Sequence, residues 1–392
     1  MKEIMRKRIL IAVAVAIALS VAVSCGGSKS NCGTTTNDVT VQYVYVANEA
    51  AQSISGYQMS DSGVLTPLGS AVQTGGQGPH EIAFDPASKL LFVLNHLSGN
   101  ISVFKVDAQS GALTAVTGSP FAAGGSQVMS MALHTSGKFL FVTDRVNGLY
   151  AFAVDTTTGA LTAMTGSPFA TGMTQPEHIV VHPGGKFVYV ASSAAPLTVT
   201  GYDVSATNGT VQPMEAPFDL GTLTPAAIST DATGKYLLVA AAEGVLSHFD
   251  IDATTGALAE NQYSPIQVPS SPEVELAVTG KFIYVLDKTD RFIDLYVVES
   301  DGKISPQDSQ ALNGALTPTG IAVDSGGKFV MVTDSAGATI ASYAIDTTTG
   351  ELTSQGPAVA SAAGAAHVAS GKVTKQVTTP VACDGGGGGR WQ

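Results

Sequence analysis

Glycine recurs along the 392-residue chain at one beat: Gly63, Gly111, Gly159, Gly209, Gly256, Gly302 and Gly350 stand 48, 48, 50, 47, 46 and 48 residues apart. A period of that length signals stacked supersecondary units, each too small to bury its own apolar face. Within each unit four short runs alternate apolar and polar residues or are rich in β-branched and aromatic ones, with turn signals between them. In the unit ending at Gly111 the runs are HEIAF (80–84), LLFVLN (90–95), ISVFKV (101–106) and ALTAV (112–116), here called strands A, B, C and D. The A-to-B turns read DPASK, HTSGK, HPGGK, DATGK and DSGGK, where Asp, Pro and Gly supply turn geometry.

The strand count indicates how the units close. The first B strand, VQYVYV (41–46), has no A strand before it, whereas GAAHVASGKV (364–373) resembles an A strand with no complete unit after it. The last strand is therefore expected to complete the first sheet, which leaves no open edge. The expectation is an all-β fold: one seven-bladed β-propeller over residues 40–375, preceded by a flexible linker (26–39) and followed by a disordered Gly-rich tail (376–392). The composition, 44% hydrophobic with 13% charged residues, agrees with many buried strands under a Thr/Ser/Ala/Gly surface.

Residues 1–25 read as an export signal: Lys2, Arg6, Lys7 and Arg8 precede the largely apolar run from Ile9 to Val23, which is short for a membrane span. That run leads into Ala22-Val23-Ser24-Cys25, similar to the lipobox of bacterial lipoproteins, so Cys25 is the expected lipidation site. The expected location is the periplasm or outer cell envelope, with membrane contact only through the lipid. Cys32 and Cys383 then flank the propeller at its two ends, and ring closure makes a disulfide between them geometrically feasible. A formal charge of −12 excludes a nucleic-acid binder, which needs a basic face, and disfavours a highly anionic substrate.

With A strands around the channel, the D-to-A loops and B-to-C turns share one face and the A-to-B and C-to-D turns share the other. The C-to-D turns repeat as DAQSG, DTTTG, DATTG and DTTTG, whose Asp residues suit Asx-type turn bonding better than calcium. His134 and His182 lie in A-to-B turns on that repeated face and are not site candidates. The other face does not repeat. At the starts of its A strands stand Pro79-His80-Glu81, Pro176-Glu177-His178, Pro225-Ala226, Pro272-Glu273-Val274-Glu275, Pro318-Thr319 and Ala366-His367. Its B-to-C turns add Asn95 and His96, Asp144 and Arg145, Ser192 and Ser193, Glu243, Asp287 with Asp290 and Arg291, and Asp334. His or Glu there can act as general base on water and Arg can stabilise an oxyanion. The candidate catalytic residues are His80, Glu81, Glu177, His178, Arg145 and Arg291; Asn95, His96, Glu243, Glu273 and His367 are candidate substrate contacts. No cofactor is assigned. His80, His178 and His367 come from different units, but no close ligand spacing supports a metal site. G-x-S-x-G and P-loop motifs are absent.

The combination P-x-x-I-A-x-D-P-x-x-K-x-x-F-V-x-N with V-D-x-x-T-G-x-L-T resembles the lactonase-family β-propellers, which include 6-phosphogluconolactonases. GPHEIAFDPASKLLFVLNHLSGNISVFKVD (78–107) and QPEHIVVHPGGKFVYV (175–190) carry it most clearly, and it extends over residues 40–375. The resemblance implies His, Glu and Arg at the channel mouth, with His80 and His178 where such a His is expected. Family members also tend to show an Arg-His pair in a later A strand and an Asn-Glu after its B strand. Here TPAAISTDATGKYLLVAAAEG (224–244) lacks the pair and the Asn, leaving Glu243 as the only acid there. Two functions follow: a monomeric hydrolase opening a sugar lactone, or a non-enzymatic surface propeller binding a ligand or protein partner.

Overall fold

The computed structural model describes residues 34–214, 217–268, 274–312, 314 and 317–380. Glu273, Cys25, Cys32 and Cys383 lie outside the described residues. The described chain is all strand and turn, and Asp38–Gln376 forms one compact unit. Seven antiparallel sheets follow one another, six of them each built from a consecutive stretch of chain in the order A-B-C-D. The seventh takes its B, C and D strands from Thr34–Asn48, Ser53–Met59 and Leu65–Pro67, and its A strand from Ala365–Pro380 at the other end of the chain. The expected ring closure is thus observed. We number this blade 1 and the rest 2 to 7 in chain order.

Two features differ from the sequence expectation. Most blades carry an additional two-residue strand after D, such as Val72–Gln73 or Phe121–Ala122, that pairs back onto C. The closing strands are also longer than expected: one begins at Thr34, within the segment read as linker, and the other runs to Pro380, within the segment read as tail. The hydroxyls of Thr35 and Thr379 lie 2.9 Å apart and those of Thr36 and Thr378 3.2 Å apart, so the extra residues pair with each other.

In blades 2 to 7 each B strand is buried from end to end, as in Leu90–Asn95 and Phe187–Ser192, because both faces of a blade are covered by its neighbours; in blade 1 burial is continuous over residues 43–48. The buried apolar residues form seven clusters, each bridging two successive blades, and one joins Val44 and Val46 of blade 1 to Phe329 and Met331 of blade 7. Burying a side chain such as Phe92 stabilises the fold by roughly 1.5–3 kcal/mol.

The recurring glycines belong to these joints. Each C-to-D glycine lies under a residue of the preceding blade, usually the one that begins its B strand. A Cβ on Gly350 would stand 2.5 Å from Phe282, and one on Gly63 2.4 Å from Phe329; both glycines have positive φ, 84° and 82°. No other residue fits such a position without strain. Their carbonyls are used as well: the Tyr189 hydroxyl donates to Gly256 O (2.9 Å), Tyr284 to Gly350 O (2.9 Å) and Ser342 to Gly63 O (2.7 Å). The last of these bonds ties blade 7 to blade 1.

Candidate functional site at the channel mouth

The A strands are only partly covered along their length, in contrast to the B strands, and A strands of successive blades pack against one another. They are the innermost strands. Two repeated backbone devices aim side chains at one end of the channel.

The first device is a β-bulge at the start of the A strand. In blade 2, Pro79 pairs with Asn95 and Glu81 with Leu94, so His80 is the extra residue. In blade 4, Pro176 pairs with Ser192 and His178 with Ala191, so Glu177 is the extra residue. A bulge re-aims side chains locally and is common beside active sites. It also shows that His80 corresponds in position to Glu177, and Glu81 to His178. The two histidines are therefore offset by one residue, as the order Pro-His-Glu against Pro-Glu-His already indicates.

The second device fixes the residue that follows each B strand. His96 N donates to Gly78 O, Arg145 N to Gln127 O, Ser193 N to Gln175 O, Ala242 N to Thr224 O and Ser335 N to Thr317 O, at 2.9 to 3.1 Å. In blade 6 the corresponding residue is Lys288 and in blade 1 it is Glu49.

These devices assemble two linked groups. In one, the His80 ring lies 4.6 Å from that of His367 and 5.1 Å from that of His96, whose Nε2 is 3.6 Å from Glu49 Oε1. Nδ1 of His80 and of His96 are buried without a hydrogen-bond partner. Burial, reinforced by the neighbouring imidazoles of His367 and His96, holds His80 down to about 3; burial and then Lys288 hold His367 down to about 4. Both rings are neutral at physiological pH.

In the other group, Arg145 Nη2 donates to Glu177 Oε1 at 2.7 Å, while Arg145 Nε is buried without a partner. Burial would raise the Glu177 carboxyl, but hydrogen bonds from Ser193 and Arg145 outweigh it and keep the group ionised below its usual range. Burial lowers His178, against the opposing influence of Glu177, Glu275 and the Pro225 backbone. The Glu275 charge acts on His80, Glu81 and His178 alike, linking the two groups, and Glu275 accepts a 3.2 Å ion pair from Lys288.

The remaining sequence candidates are placed differently. Glu81 accepts hydrogen bonds from the Ser130 hydroxyl (2.7 Å) and from Met131 N, which makes it a strut between blades 2 and 3. Burial pushes its carboxyl up to about 8, against both hydrogen bonds. Asn95 is fully buried and donates to Asn100 Oδ1 and Ser102 Oγ, at 2.8 and 2.7 Å, inside its own blade. Glu243 is exposed and accepts from Thr224 N at 2.9 Å. Arg291 is exposed in its turn with φ of 63°, and no contact of either group involves it. Glu243 and Arg291 lie further along their turns than the residue that the backbone bond fixes at the mouth.

Sequence reasoning passed over Lys288, Glu49 and Ser130. Lys288 had a readable signal, since Asp287-Lys288 repeats the pattern of Asp144-Arg145 at the end of a B strand. Among the described residues, no group of three His, Cys, Asp or Glu is placed to hold a metal ion. A cleft of about 250 Å³ opens between blades 4 and 5, walled by residues such as Tyr189, Met214, Phe218 and Asp219. It carries neither histidine nor cation, so the candidate chemistry lies at the channel mouth.

A family model described as lactonase, 7-bladed beta-propeller, matches residues 34–131, 139–272 and 267–367. Among solved structures, a putative 6-phosphogluconolactonase from Bacteroides fragilis is similar at 17% identity, TM-score 0.69, over 86% of this chain and 98% of that one. The Pseudomonas aeruginosa periplasmic gluconolactonase PpgL is similar at 17% identity, TM-score 0.67, over 84% and 98%. A Lactobacillus plantarum protein is similar at 16% identity, TM-score 0.68, over 84% and 99%. At these identities the likeness speaks for the fold. None of the curated proteins matches the chain.

Proposed function

Because the chain belongs to the lactonase family of seven-bladed β-propellers, we propose that it hydrolyses a sugar lactone at the channel mouth, with His178, Glu177 and Arg145 as the working residues. The observation that carries this reading is the buried, unpartnered Nε of Arg145, on a guanidinium that Glu177 holds beside His178. An N–H donor fixed in a partly dry site is suited to a developing oxyanion. Burial disfavours the protonated form of His178, and a neutral imidazole offers one ring nitrogen as a proton acceptor.

The chemistry follows from these roles. Water adds to the lactone carbonyl carbon and passes a proton to His178 as the C=O electrons move onto oxygen. Arg145 Nε–H stabilises that oxyanion. The tetrahedral intermediate then expels the ring oxygen, breaking the acyl C–O bond, and the His178 proton goes to the departing alkoxide. The product is the open hydroxy acid. Glu177 acts by positioning Arg145 and does not touch the substrate.

The test is hydrolysis of a panel of aldonolactones by the intact protein, corrected for the spontaneous rate, beside His178→Ala and Arg145→Ala variants. Turnover that both variants lose supports the reading. Absence of turnover across the panel, or turnover that both variants retain, overturns it in favour of a binding propeller.

A further inference from the structure

We propose that this mouth selects uncharged lactones over their phosphate esters, an inference that rests on the lactonase reading above. A phosphate monoester carries close to two negative charges and is recognised by cations free to offer charge-assisted hydrogen bonds, typically from clustered Arg or Lys. Among the described residues two cations occupy the mouth; each is paired with a carboxylate, and the one donor that Arg145 keeps free, its Nε–H, is the one assigned above to the oxyanion. Arg145 is held by Glu177 at 2.7 Å and Lys288 by Glu275 at 3.2 Å, with all four side chains half-buried or better. The imidazoles of His80 and His367 are neutral, so they add no positive charge.

The surroundings are acidic. Glu49, which faces His96, adds a further carboxylate to the two ion pairs, so a phosphate entering here meets an excess of negative charge. Desolvating a dianion without a counter-charge is strongly unfavourable. A neutral polyol ring meets the same groups as hydrogen-bond acceptors: carboxylate oxygens and unprotonated imidazole nitrogens take the O–H donors of sugar hydroxyls. Apart from Arg145 Nε–H, the groups named here accept hydrogen bonds.

The experiment pairs catalysis with binding. Glucono-1,5-lactone and its 6-phosphate are compared as substrates of the intact protein, and gluconate and 6-phosphogluconate are titrated calorimetrically against it. The expected result is a kcat/KM for the neutral lactone at least about tenfold above that for the phosphate, and weaker binding of 6-phosphogluconate than of gluconate. In Glu275→Gln, which frees Lys288, the preference should fall by roughly tenfold. Equal or faster turnover of the phosphate overturns the selectivity while leaving the lactonase reading intact. If neither lactone is hydrolysed the lactonase reading fails, and tighter binding of 6-phosphogluconate still overturns the selectivity on its own. A Glu275→Gln preference equal to that of the parent removes the role given to the Lys288 pair.

Discussion

The two faces of the propeller use the same side chains to opposite ends. On the repeated face, His134 Nδ1 lies 2.8 Å from Ser136 Oγ and its Nε2 lies 2.6 Å from Gly185 O in the next blade. His182 Nδ1 accepts from Gly184 N at 2.9 Å, and its Nε2 reaches Gly234 O at 2.8 Å. The turn carboxylates are equally occupied, with Asp155 Oδ1 accepting from Thr157 N and Thr158 N and Asp346 Oδ1 from Thr348 N and Thr349 N. These are Asx turns. At the channel mouth, by contrast, His80, His96 and Arg145 each keep a buried nitrogen without a partner. A histidine with both nitrogens engaged is a fastener; one with a nitrogen in reserve can exchange a proton. Residue type does not distinguish these turn histidines from those of the mouth, but completeness of hydrogen bonding does; His248, within blade 5, shares the open Nδ1 and has its Nε2 on Gly302 O.

The comparison can be broken most severely by Arg145→Ala, which should cost about 10²–10³ in kcat/KM with little change in thermal midpoint. A loss of folding instead of turnover would make Arg145 a fastener too. The pH profile sharpens the same point. Because burial lowers His178, kcat/KM should be flat near neutrality and fall only as acid protonates the base, with a limb below the ordinary His value of about 6.5. A limb at or above that value assigns the base elsewhere.

Stability should respond to acid through the neighbouring rings. With His80 held to about 3 and His367 to about 4, the unfolded chain takes up protons below about pH 6.5 that the folded rings refuse. Stability therefore falls as pH drops from 6.5 toward 4, and a His80→Gln/His367→Gln double variant should flatten that slope in denaturant titrations. An unchanged slope would mean that the rings are not kept neutral by folding. On the repeated side, Gly350→Ala should destabilise by about 1–3 kcal/mol, since its φ of 84° and the nearby Phe282 ring both oppose a Cβ. The smallest effect is expected from His182→Ala: about 1 kcal/mol of stability and no change in turnover. Lost turnover there would erase the distinction between the faces.

The fold was legible because every blade states it again. A glycine under the neighbouring blade, a largely apolar B strand and an Asp or His turn recur with the period, so an error in one unit is corrected by the others. The site was legible only in part. His80, His96, Glu177, His178, Arg145 and His367 could be read because they depart from the repeat at the start of an A strand or the end of a B strand. What they do there depends on neighbours from other blades, which a single unit does not contain. Glu81 was read as a catalytic partner of His80, but its oxygens turn to Ser130 and Met131 of blade 3. Glu243 and Arg291 are read from their charge and their place in B-to-C turns, whereas the backbone bond to the D-to-A loop selects Ala242 and, by register, Lys288. The one-residue offset between His80 and His178 stands in the sequence as Pro79-His80-Glu81 against Pro176-Glu177-His178; the bulge, which apolar-polar alternation hides, is what gives the two positions different environments.

The closing strand gives the first blade a different history from the rest. Its B, C and D strands are synthesised first, yet their edge stays unpaired until Ala365–Pro380 has been made, and such a distant pairing is intrinsically slow to form. The same strand carries His367, which packs on His80. A ribosome that stalls before that strand would release a chain with six complete blades, an exposed sheet edge and a mouth that lacks one of its three contacting imidazoles. Completion of the site thus reports closure of the ring.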